Sequence, residues 1–323
     1  MSEGDAPRRG PGILTGRLFI GRYFGIAFYL HASWFAIVAF VTCGLALEVF
    51  PDQLPGHSRA LYFALGGIAT LLFFFSILLH ELGHSLVSQR CGIPVPRITL
   101  LFIGGLAEIA REPDDARSEL KIALGGPAVS ILLSAGFALL RYATSALGWE
   151  AVAHVFGWLA VTNVGLVIFN MFPGYPLDGG RVLRALIWAK TGRLRFATHI
   201  SSRIGVAFSW VLIFLGAWLV FVKYNLGGLS FLLIGFFLKS AAESGYANAV
   251  QREVLAGVRV RDLMTANPAT IPDTLPLNLA VEDYFLSGHH VAYPVCASDG
   301  EFRGLLRLDF LKLTESGAMG QTQ

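Results

Sequence analysis

The sequence predicts an α-helical polytopic membrane protein with six transmembrane helices, a membrane-dipping β-hairpin and a small α/β domain outside the membrane. Three observations predict it. Of 323 residues, 54% are hydrophobic and only 15% charged, against roughly 25% charged in an average soluble domain. Six runs approach the length of about 20 mostly apolar residues that a bilayer requires, at residues 23–47, 60–89, 122–140, 151–177, 204–222 and 226–242. Lysine and arginine, counted through the seven connecting stretches in order, number 4, 1, 5, 1, 6, 1 and 7, the last including Lys239. That alternation follows the positive-inside rule and places both termini in the cytoplasm. The net charge of +3 is therefore read as topology and not as a nucleic-acid surface.

Residues 1–20 are polar and read as a disordered cytoplasmic tail. The first apolar run is too long for a signal-peptide core, and no small-residue cleavage site clearly follows it, so it is expected to be retained. The second run has no charged residue from 60 to 79 and then closes on His80-Glu81-Leu82-Gly83-His84. On a helix the two histidines lie one turn apart on one face, so two imidazole nitrogens can reach one metal ion while Glu81 stands beside them. Ionisable groups closing such a run are costly unless they serve a function. The pattern is that of a zinc hydrolase, and the residue count puts it nearer the cytoplasmic side.

The connection at 96–109 is apolar, rich in strand formers and broken by Gly104-Gly105, which reads as a β-hairpin. It is too short to span, and irregular backbone at membrane depth must be covered by protein or line a wet cavity. It is expected to dip in beside the metal helix, either packed over helix ends or holding an extended substrate along a strand edge. The third run opens with the small residues Gly125, Gly126, Ala128 and Ser130, which allow helices to approach closely in lipid.

The fourth run ends in a broken segment that contains Asn170, Pro173, Pro176, Gly179 and Gly180. Proline stops the helix there, and the glycines permit backbone turns that other residues resist. Asp178 lies in this break after 27 residues without a charge. It is a helix N-cap, an ion-pair partner for Arg181, or the third protein ligand that a catalytic zinc ordinarily takes. The other histidines suit that place less well: His57 and His154 fall on the outer side, His199 in a basic loop, and His289 and His290 in the tail. His31, inside the first run, reads as a satisfied core histidine or a group near the substrate path. Cys43, Cys91 and Cys296 are too scattered for a disulfide framework or thiolate metal site. The sixth run is the weakest, with Gly227, Gly228 and Lys239 near its ends. Residues 246–257 read as a linker, 258–316 as the small α/β domain and 317–323 as a frayed end.

His80-Glu81-x-x-His84, joined to Asn170-x-x-Pro173-x-x-Pro176-Leu177-Asp178-Gly179-Gly180, resembles the site-2 protease family of intramembrane metalloproteases. Agreement extends through Gly104-Gly105, Ala107, Glu119-Leu120 and Gly126-Pro127, and the likeness covers residues 21–313. The subgroup resembled has six spans, here residues 21–245, and a cytoplasmic CBS domain. The resemblance implies one zinc per chain on His80, His84 and Asp178, with Glu81 as general base and Asn170 binding substrate or the oxyanion. It also implies clients that are single-span membrane proteins, such as an anti-sigma factor, cleaved in regulated intramembrane proteolysis. Ser130 stands where the family's third-span motif often has asparagine. The tail resembles a single CBS repeat. Such repeats work in pairs, so a second subunit would supply the other. Arg307 and Phe310 occupy positions where the adenosine-nucleotide pattern has other residues. Two other function classes fit an intramembrane His and Asp cluster, a metal transporter and an inactive scaffold. Glu81 between the histidines discriminates against a conduit, which needs no base.

Overall fold

The computed structural model describes residues 16–308 apart from 102–103, 109, 226, 256 and 289. The tail through residue 15, Ile109 of the expected hairpin, Phe310 and the end at 317–323 lie outside the described residues. The chain divides into two compact units, Met1–Val254 and Leu255–Gln323.

The first unit opens with strand β1 (Arg17–Tyr23), then β2 (Ile26–His31). The expected tail therefore ends earlier than residue 20, because Arg17, Leu18 and Phe19 pair with β2. Helix α1 begins only at Ser33 and runs to Gly44, continuing through a π-helical turn into α2 (Phe50–Gln53). The first span is thus Ser33–Gln53 and not 23–47, since the alternating residues before it are drawn into a sheet. His31 ends β2 instead of lying inside a span, and its Nδ1 accepts from the Ser33 amide at 3.2 Å.

Helix α3 (Arg59–Arg90) follows, capped by Ser58, whose hydroxyl accepts from the Leu61 amide. Next come β3 (Arg97–Leu101) and β4 (Gly104–Glu108), an antiparallel pair in register from Arg97 with Glu108 to Leu101 with Gly104. The hairpin does not stand alone. β3 pairs in parallel with β2, giving one four-stranded sheet in the order β1-β2-β3-β4. Ile26, Phe28, Val95 and Ile98 of this sheet region pack on Leu78 and Leu82 of α3, the first just before the histidine pattern and the second within it.

Helices α4 (Ala116–Ala146) and α5 (Glu150–Asn170) lead to the break, then α6 (Asp178–Thr191), α7 (Leu194–Phe221) and α8 (Gly228–Leu255). Asp115 caps α4, accepting from the amides of Arg117 and Ser118 at 2.9 Å. α3 and α4 meet through glycine, for a Cβ at Gly83 would stand 2.6 Å from the Gly125 carbonyl oxygen. Leu45, Phe50, Leu65 and Leu159 form a core that joins α3 to α5. Leu132, Leu139, Ile168 and Phe214 are each more than 65% exposed on helix faces, an arrangement that lipid satisfies and water does not.

Five helices among the described residues are long and apolar enough to cross a membrane: Ser33–Gln53, Arg59–Arg90, Ala116–Ala146, Glu150–Asn170 and Leu194–Phe221. α8 falls outside this set because Lys239 and Glu243, paired at 2.8 Å, interrupt its apolar stretch. It also continues as helix through Leu255, across residues read as a linker.

The second unit holds α9 (Val260–Leu263), β5 (Ile271–Pro272), α10 (Leu277–Ala280), β6 (Ala292–Cys296) and β7 (Phe302–Arg307). β5 pairs in parallel with β6, and β6 pairs antiparallel with β7. Ile271, Ala280, Phe285 and Tyr293 form its small core.

Candidate metal centre

His80 and His84 are buried on α3, one turn apart, and the first residue of α6 is the buried Asp178. The segment between α5 and α6 folds back so tightly that only glycine fits its two closest contacts. A Cβ at Gly179 would stand 2.1 Å from the Met171 carbonyl oxygen, and one at Gly180 would stand 2.2 Å from the Tyr175 nitrogen. Ser201 of α7 donates to the Gly180 carbonyl at 2.7 Å and holds the start of α6 in place. These contacts deliver the Asp178 carboxylate to the histidine face of α3.

Three donor residues meet there through four atoms. His80 Nε2 lies 3.1 Å from Asp178 Oδ2 and 3.1 Å from His84 Nε2, and His84 Nε2 lies 3.2 Å from Asp178 Oδ1. A tetrahedron built on zinc–nitrogen bonds of about 2.0–2.1 Å has edges of roughly 3.3 Å, so this triangle of residues has a spacing that suits zinc. His80, His84 and Asp178 are the cluster among the described residues that could hold a metal ion. Space in front of the nitrogens comes from Gly126 of α4, where a Cβ would stand 2.2 Å from His84 Nε2 and 2.6 Å from His80 Nε2.

α4 also orients both rings. His84 Nδ1 donates to the Ile122 carbonyl at 2.6 Å, and His80 Nδ1 lies 2.8 Å from the Ser130 hydroxyl. The Gly126 amide is 3.3 Å from His84 Nδ1, a longer approach that loses to the carbonyl in deciding where the proton sits. Occupying Nδ1 in this way leaves Nε2 free to ligate, the usual outer arrangement of a zinc-bound histidine. The structure brings together His80, His84 and Asp178, the three residues that the sequence singles out, and adds these partners, which no sequence pattern marks. Ser130 was visible only as a departure from asparagine, and its hydroxyl reaches the site nonetheless.

Glu81 lies beside the triangle, packed against strand β4: a Cβ at Gly105 would stand 2.3 Å from its Cγ. Asn170 closes α5 and is half-buried, with its amide donating to the Leu166 carbonyl at 3.0 Å within its own helix. Arg181 follows one turn after Asp178, but the aspartate meets the histidines instead of pairing with it.

Residues 68–147 and 140–212 match Peptidase family M50. Rip3 of Mycobacterium tuberculosis, named as a zinc metalloprotease, is 34% identical over 294 residues, covering 91% of this chain and 75% of that protein. The Synechocystis protein sll0528, named likewise, is 34% identical over 302 residues, covering 93% of this chain and 78% of that protein. MJ0392 of Methanocaldococcus jannaschii, also a named zinc metalloprotease, is 28% identical over 282 residues, or 86% and 74% of the two chains. Similarity at this level along nine-tenths of the chain, with two histidines and a distant aspartate meeting in one zinc-sized triangle, makes this chain a zinc metalloprotease of Peptidase family M50, the site-2 protease family.

Proposed function

We propose that the chain hydrolyses peptide bonds within or near the transmembrane segments of membrane-bound regulatory proteins. The observation that carries this reading is the His80–His84–Asp178 triangle, buried among apolar helices, with the carboxylate of Glu81 between it and a sheet edge. His80 and His84, through Nε2, and Asp178 would hold one zinc ion per chain. Zinc at such a site would lower the pKa of a water and act as a Lewis acid on the scissile carbonyl. Glu81 is the carboxylate placed to accept a proton as general base and to pass it to the leaving amine. Ser130 and the Ile122 carbonyl keep both rings in the ligating tautomer.

A helical substrate must unwind first, because its carbonyls are engaged in its own hydrogen bonds. β4 ends the order β1-β2-β3-β4, so its outer edge can pair with an extended segment and bring that segment past Glu81. Asn170 then binds substrate or donates to the developing oxyanion, a contact worth about 3 kcal/mol, through the amide hydrogen that the Leu166 carbonyl does not engage. Clients of this kind are single-span membrane proteins, an anti-sigma factor being one class.

We assign α8 as a sixth span and place both termini in the cytoplasm, on the alternation of Lys and Arg between spans. The proteolytic domain then takes in residues 21–245 together with the start of β1 at Arg17, and residues 258–316 form a regulatory domain of the CBS type. Its single repeat pairs with that of a second copy, and the departures at Arg307 and Phe310 count against an adenosine nucleotide as its ligand.

The test measures zinc content and cleavage of a single-span substrate for the purified wild type, Glu81→Gln and Asp178→Ala. Zinc lost with Asp178 and kept without Glu81, and cleavage by wild type alone, is expected. Full cleavage by Glu81→Gln defeats the mechanism.

A further inference from the structure

A second buried charge cluster lies behind the metal centre. Arg184, on α6 six residues after Asp178, is 5% exposed, and Glu119 of α4 is 1% exposed. Arg184 Nε donates to Glu119 Oε1 at 2.6 Å, and Nη2 contacts the same oxygen. The guanidinium also lies over the Tyr175 ring, 5.4 Å from its centroid. Tyr175 is itself fixed. Its amide donates to the Ser201 carbonyl at 3.0 Å, and α7 and α8 close on it through glycines. A Cβ at Gly205 would stand 1.9 Å from its carbonyl oxygen, and one at Gly245 would stand 2.2 Å from its ring.

Stability does not explain such a pair. Taking two charges out of water is costly, and apolar replacements of similar volume are often as stable or more so. Position does explain it. Glu119 precedes Ile122, the residue that orients His84, by one turn of α4, and Arg184 lies about 9 Å along α6 from Asp178. The pair therefore ties the helix carrying the aspartate to the helix that orients both histidines. We propose that Arg184 and Glu119 are positioning residues for the metal centre, setting where the Asp178 carboxylate stands relative to His80 and His84. This rests on the assignment of Asp178 as a zinc ligand.

The test is zinc affinity by chelator competition, with the melting temperature of the metal-free chain, for the full-length wild type, the double variant Glu119→Leu/Arg184→Met and Asp178→Ala. The apolar double variant is expected to melt with the wild type and to bind zinc about 10- to 100-fold more weakly. Wild-type zinc affinity in that variant overturns the proposal, and so does its failure to fold, which would make the pair a stability element. Zinc retained by Asp178→Ala refutes the ligand assignment and this inference together. Zinc lost by Asp178→Ala but held normally by the double variant refutes this inference alone.

Discussion

Gly126 faces His84 so closely that a Cβ at this position would stand 2.2 Å from the His84 Nε2 atom. The glycine lies inside α4, where alanine is the better helix former by about 1 kcal/mol. Helical propensity therefore opposes the residue that is present, and room for the donor triangle favours it. Gly126→Ala is expected to leave the metal-free protein folded and to lower zinc affinity at least about tenfold, comparable to losing a contact that orients a ligand. Metal analysis alongside a thermal melt checks this, and normal zinc with normal cleavage would contradict it.

Ser130 is the partner of His80 Nδ1 at 2.8 Å. Its loss frees the ring to rotate and leaves that nitrogen unpaired in a buried setting. Ser130→Ala is expected to weaken zinc binding about 10- to 100-fold. Ser134, one turn further along α4, donates to the Ala160 carbonyl at 2.9 Å and supplies the control. Ser134→Ala removes a hydroxyl from the same helix and should leave zinc affinity unchanged, which separates an effect on the ring from a general effect on packing.

Glu81 and the metal ligands can be separated through Gly105. Valine there puts a Cβ within 2.3 Å of Glu81 Cγ, so either the carboxylate or β4 must move. The histidines face α4 and α6, away from this contact. Gly105→Val is therefore expected to retain about one zinc per chain while cleavage falls by at least about 100-fold, the scale of a displaced acid–base group. Zinc loss in this variant would mean that the sheet also supports the ligand triangle.

These variants divide into residues the sequence revealed and residues it concealed. His80, Glu81 and His84 are legible because a helix repeats every 3.6 residues, so local spacing alone places them together. Asp178 is legible because a charge, two prolines and two glycines interrupt an apolar run. The partners on α4 have no such signal. Ile122 contributes a backbone carbonyl, which no side-chain pattern can announce, and Ser130 looks like any small residue at a helix contact. Glu119 belongs to the Glu119-Leu120 pair of the family resemblance and Arg184 lies mid-way along α6, but the two are 65 residues apart and no sequence pattern joins them. The N-terminal sheet is hidden for another reason. Residues 26–31 run into α1 with only Ala32 between, so strand and helix merge into one apolar stretch, and pairing with β3 decides the boundary.

Metal removal tests whether zinc holds the fold or only occupies it. Small zinc domains unfold without their metal because binding free energy is their folding free energy. Here contacts independent of the ion hold the helices that carry the site: the Gly83–Gly125 approach joins α3 to α4, and the Ser201–Gly180 hydrogen bond joins α6 to α7. A strong chelator is expected to abolish cleavage and leave the helical circular dichroism intact, with zinc restoring activity. Free zinc at about 100 times its Kd should stabilise the folded chain by about 2.7 kcal/mol, read as an upward shift in melting temperature. That shift should vanish in Asp178→Ala, because the shift depends on the triangle, while the metal-free melt of that variant should stay close to that of the metal-free wild type. Loss of helical structure on chelation would instead assign the ion a structural role and move the stabilising contacts from α4 to the metal itself.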